Sequence, residues 1–179
     1  MVQANYRFDR CVRWLSGDQK EPRMITVLGG FPYLVKDSAV FSAYGKLAKE
    51  IDTLDISAEF KETTKLAVEA HYGVKGEIAW LSHQIQALTP SAVECIINGV
   101  KPDDLTAAGS ASYDTVTHLI AKPGPLPPQY KETCFDLLGK NDIIGIIHLV
   151  GLHMGASMIA VAINAPVVDA EDLPAVKNK

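Results

Sequence analysis

Residues 56 to 87 read ISAEFKETTKLAVEAHYGVKGEIAWLSHQIQA, and this stretch decides the fold. Two helical patterns meet at Tyr72-Gly73-Val74-Lys75-Gly76, where the glycines punctuate a tight turn. Ser57, with Glu59 and Glu62 behind it, supplies an N-cap and negative charge for the first turn of the leading helix. On the second helix Trp80 and His83 stand three residues apart, so their side chains are neighbours on one surface.

Upstream, Val40, Tyr44, Leu47 and Ile51 recur at helical spacing, predicting a helix that ends before Ile56. A short helix over residues 4–16 would place Phe8, Cys11, Val12 and Leu15 on one side. Gly29-Gly30 reads as a turn, since neither a G-x-G-x-x-G nor a Walker pattern surrounds it.

Downstream, Thr89 caps a helix over residues 90–100 whose first turn holds Pro90. Residues 101–110 read as a loop and 111–121 as a helix, with Asp114 and His118 paired across one turn on the surface. KPGPLPP (residues 122–128) is a stiff connector, and 129–139 form a further amphipathic helix.

The stretch 143–168 holds 26 residues without a charged side chain. That length would span a bilayer. His148, His153, Ser157, Asn164, three glycines and Pro166, with no flanking basic cluster, argue instead for a core or subunit-interface helix. Gly151 and Gly155 are spaced for close helix contact. No segment alternates apolar and polar residues, so the expectation is an all-α, compact helical bundle forming one domain over residues 1–179.

Composition narrows the function. A chain of 179 residues, 47% hydrophobic and 21% charged, is globular. A net charge of −4 with scattered Lys and Arg argues against a nucleic-acid surface or a polybasic membrane anchor. Cys11, Cys95 and Cys134 are far apart and odd in number, which suits reduced thiols in a cytoplasmic protein, Cys95 and Cys134 as small buried side chains. The N-terminus lacks the apolar core of a secretory signal.

Histidine carries the candidate chemistry. His83 suits proton transfer near neutral pH, against the alternative of a buried imidazole held by a backbone carbonyl. His153 sits in an apolar helix, where an imidazole needs a partner: a substrate carboxylate or another side chain. His148 lies about 140° round that helix from His153. A two-histidine metal site would favour one-turn spacing, so no metal is expected. Glu62 and Glu69 share a helix face with Lys65 between them, and ion pairing on a solvated face is the default there. Glu69 has a second reading, as a group facing a pocket.

The spacing of Trp80, His83 and Ala87, with Ile56, Ser57, Lys61, Glu62, Leu66 and Val68 before it, resembles the carboxymuconolactone decarboxylase family of the alkylhydroperoxidase D-like superfamily. Gly151-Leu152-His153 and Asn164-Ala165-Pro166 resemble that family's C-terminal helix. Three positions depart from the pattern: Ala79 replaces a glutamate, Glu59 a basic residue and His153 a tyrosine. The superfamily's peroxidase branch would need cysteines where Gly76 and Ala79 stand, which excludes disulfide-based peroxide reduction through that motif.

The resemblance implies an alkylhydroperoxidase D-like bundle and a cofactor-independent lyase or isomerase, decarboxylase-like, with a small acidic, lactone or polyketide-like substrate. His83 and His153 would be its catalytic residues, and Trp80, Glu69 and His148 its substrate-binding groups. It also implies assembly as a homotrimer or homohexamer. The rival reading is a non-catalytic small-molecule-binding or assembly protein that keeps the fold.

Overall fold

The structure, a computed structural model, describes residues 39–162. The expected helix at 4–16, the Gly29-Gly30 turn, Cys11 and Asn164-Ala165-Pro166 lie outside the described residues. Six helices and no strand make up the described chain: α1 (Ala39–Asp52), α2 (Ala58–Tyr72), α3 (Lys75–Gln84), α4 (Pro90–Ile97), α5 (Ala107–Ala121) and α6 (Pro128–Ala162). The described residues are therefore all-α.

Local chemistry accounts for the ends of α2. Ser57 Oγ accepts the Phe60 N–H at 3.2 Å. At the other end Gly73 adopts φ 67°, its N–H bonds the Ala70 carbonyl, and the Val74 N–H reaches back to Glu69 O. This is a Schellman ending, and Val74 is buried beneath it. Only Gly73 of the two turn glycines takes a left-handed conformation. Gly76 lies inside α3, so the turn is shorter than the glycine spacing suggests.

The carboxylates of α2 then fasten later segments. Glu62 accepts the N–H groups of Gln86, Ala87 and Leu88 at 2.8–3.2 Å. Glu59 accepts both the N–H (3.0 Å) and the hydroxyl (2.6 Å) of Thr106. The Thr106 hydroxyl in turn accepts the Gly109 N–H and caps α5. This contact corrects the expected loop over 101–110, because α5 starts at Ala107. The Thr106 cap overrides the weak helical signal of Ala107-Ala108-Gly109. A Cβ at Gly109 would come within 2.5 Å of the Glu59 carboxyl carbon, so any larger residue there would push that carboxylate aside.

Three helices, α2, α5 and α6, pack on one another around Leu66, Val68, Val116 and Ile146. α4 follows its Thr89 cap and N-terminal proline as expected, but ends at Ile97 rather than Val100. It sets Ala92 and Ile96 in the same core. A second cluster joins Ala48 and Ile51 of α1 to Leu149, Leu152 and Ala156 of α6. Cys134 is buried and Cys95 only partly so.

The two helices expected at 129–139 and 143–168 are one element, α6, interrupted at Gly139. Gly139 has φ 74° and ψ 167°, a region open to glycine alone, so the chain turns there without an intervening loop. By length and composition Tyr130–Ala162 is apolar enough to cross a membrane, yet 56% of its most apolar window is buried inside the protein.

The Asp114–His118 pair does not form. Asp114 binds Lys101 at 2.6 Å, and the His118 ring lies 6.2 Å from Tyr130. At the start of the second segment of α6, burial and then the nearby Asp55 charge raise the Asp142 carboxyl above its ordinary value. A raised carboxyl binds its proton more tightly folded than unfolded, so its charge opposes folding at neutral pH and the penalty fades on acidification. Asp142→Asn is therefore expected to raise Tm at pH 7, with the difference lost below roughly pH 4. Thermal melts at the two pH values check it.

Candidate functional site

The buried face of α6 is apolar except at two positions one turn apart, His153 and Ser157. Both meet Glu69, in the last full turn of α2. His153 Nδ1 lies 2.9 Å from Glu69 Oε1, and the Ser157 hydroxyl lies 2.7 Å from Oε2. The same hydroxyl is 2.7 Å from the His153 carbonyl, so its single hydrogen is shared between two acceptors. The cluster joins residues 84 and 88 positions apart in sequence.

Burial grades across the cluster. Glu69 is 1% exposed and Ser157 is fully covered, whereas His153 keeps 7%. The carboxylate thus lies deeper than the imidazole. A buried carboxylate needs its lone pairs met, and an imidazole N–H and a hydroxyl do so here. With Glu69 Oε1 accepting, Nδ1 is the nitrogen that carries hydrogen, which leaves Nε2 as the accepting nitrogen of the neutral ring.

Glu69 corrects the solvated-face default. Of the two residues grouped with it, Lys65 pairs with Asp52 at 2.6 Å and Glu62 caps the 86–88 backbone. The physical reason is that this side of α2 is divided lengthwise: its early turns meet loops, while its last turn meets α6.

The other sequence candidates stand apart from the cluster. Trp80 is buried on α3, while His83, in the last turn of the same helix, is exposed. α3 packs chiefly on α2. His148 is exposed on the far side of α6 from His153, as their five-residue separation requires. Among the described residues no hydrogen bond connects His83 or His148 to Glu69 or His153.

Ser157 was not singled out as a functional residue from the sequence. Its signal was available, a polar pair at i and i+4 within an otherwise apolar helix. Among the described residues no group of three His, Cys, Asp or Glu is placed to hold a metal ion. An open hollow of about 590 Å³ lies at the start of α6, lined by Leu126, Pro128, Lys131, Glu132, Phe135 and Asp136. It shares no residue with the Glu69 cluster, and its wide mouth and mixed lining suit a surface depression.

What fold and site define together is an all-α protein with a buried carboxylate–imidazole–hydroxyl cluster between two core helices. The chain matches no family model, no curated protein and no solved structure in the comparisons made.

Proposed function

We propose that this chain is a cofactor-independent acid–base catalyst, a lyase or isomerase of the alkylhydroperoxidase D-like type resembling carboxymuconolactone decarboxylase. Its substrate class is a small acidic, lactone or polyketide-like compound. The observation that carries the reading is the 2.9 Å contact between buried Glu69 and His153. A carboxylate on one imidazole nitrogen orients the ring and sets which nitrogen is left to exchange a proton, which is what a proton-transfer group requires. Proton transfer is assigned to His153 rather than to His83, because His83 is exposed and has no orienting carboxylate among the described residues. In such a reaction electrons left by a departing proton or carbon dioxide delocalise into the adjacent carbonyl, and carbon is then protonated. The reading includes self-association as a homotrimer or homohexamer, supported by the apolar outer face of α6.

The test uses carboxymuconolactone and related carboxylated lactones in deuterium oxide, with decarboxylation and deuterium uptake beside the carbonyl followed by proton NMR. His153→Ala is expected to slow turnover by about 10²–10⁴-fold with native circular dichroism, and His83→Ala to leave it within a few-fold. Unchanged turnover in His153→Ala would sink the assignment. Binding of these lactones without turnover would favour a non-catalytic small-molecule-binding protein that keeps the fold.

A further inference from the structure

Resting on that reading, we infer that Ser157 is a positioning residue that confines proton exchange to one atom, Nε2 of His153. The Glu69 carboxylate has two oxygens and two partners, Oε1 toward His153 Nδ1 and Oε2 toward the Ser157 hydroxyl. Without the second bond the carboxylate is free to turn about its terminal torsion, which is broad and only two-fold. With it, Oε1 is held against the imidazole.

The backbone reinforces the arrangement. Ser157 is one helical turn beyond His153, and its hydroxyl also reaches the His153 carbonyl. The hydroxyl is therefore tied to the residue it serves, and all three side chains are linked to one another between α2 and α6. While Oε1 is held against Nδ1 by the Ser157 bond to Oε2, the ionised carboxylate there only accepts, so Nδ1 keeps its hydrogen whether the ring is neutral or protonated. The proton that comes and goes is then the one on Nε2. A substrate proton taken by His153 enters at Nε2, its electron pair stays with the substrate, and the resulting imidazolium is balanced by Glu69. Return of that proton to carbon from the same atom closes the cycle.

The experiment reads the ring nitrogens directly. In the full ¹⁵N-labelled chain, long-range ¹H–¹⁵N NMR of His153 is followed through a pH titration, its signals identified by their loss in His153→Gln. In the unsubstituted protein Nε2 alone is expected to titrate, with Nδ1 protonated throughout. In Ser157→Ala both nitrogens are expected to share the titration as a tautomer mixture. Lactone turnover there should fall about tenfold, the weight of one hydrogen bond to a charged group. Ser157→Thr, which keeps the hydroxyl, should restore the single-nitrogen titration. Glu69→Gln provides a second variant, expected to mix tautomers because an amide both donates and accepts. Single-nitrogen titration persisting in Ser157→Ala or in Glu69→Gln would overturn the inference. The titration needs no substrate, so failure of the lactone assay alone would count against the catalytic reading and leave this result standing.

Discussion

Glu69→Ala is expected to destabilise the protein by about 3–5 kcal/mol, the range for removing one partner of a buried pair. The substitution leaves the His153 Nδ1–H without its acceptor, deprives the Ser157 hydroxyl of one of its two, and opens a void between α2 and α6. Those two helices also share the main core, so the loss falls on the interface that holds the bundle together. Urea unfolding followed by circular dichroism measures it as a lower midpoint at unchanged slope. Glu69→Gln keeps the volume and one acceptor, so its loss should be clearly smaller. Equal losses in the two variants would mean that packing, and not the polar cluster, holds Glu69 in place.

The second large effect concerns the opposite side of α6. Ile144, Ile147, Met158 and Val161 are 44–58% exposed, within an arc of about 100°. Gly151 lies at the middle of this stripe with open space over its Cα. Ile144 and Met158 stand seven residues to either side of it, so a second copy crossing at Gly151 would set isoleucine against methionine along the seam. Burying each such side chain contributes about 1.5–3 kcal/mol, and the stripe carries no charge to oppose contact. The protein is therefore expected to self-associate at micromolar concentration by light scattering. Ile147→Glu combined with Met158→Glu should yield monomer with unchanged helicity, since both side chains point away from the chain's own core. A monomeric unsubstituted protein would remove the self-association reading, and an unaltered assembly in the double variant would move the contact elsewhere.

These two faces of one helix show how far local pattern carries. That the second segment of α6, from Ile143 on, would be long, apolar and partly buried is written in its lack of charge. The break at Gly139 falls where the expected 129–139 helix ends; what was not legible is that the next segment follows without a loop, because a glycine there is compatible with either a tight turn or a longer connection. In α2 the caps at Ser57 and Gly73 were legible, since a hydroxyl before a helix and a glycine after it act through bonds a few residues long. The partners of Glu59, Glu62 and Glu69 were not legible.

By itself the sequence determined that the described residues are helical, where α2 begins and ends, where α4 begins, and which side of α4 is apolar. Those properties depend on periodicity and on short-range hydrogen bonds, which neighbouring residues settle among themselves. It also placed His153 among apolar neighbours and so required a partner for it. Only the tertiary structure decided that the partner is Glu69, 84 residues away, that Ser157 completes the cluster, and that His83 and His148 lie outside it. A carboxylate on a helix surface serves equally as a solvated charge, a cap or a buried acceptor. Which of these it becomes depends on what the rest of the chain brings against it, and that is set by helix packing across long sequence separations.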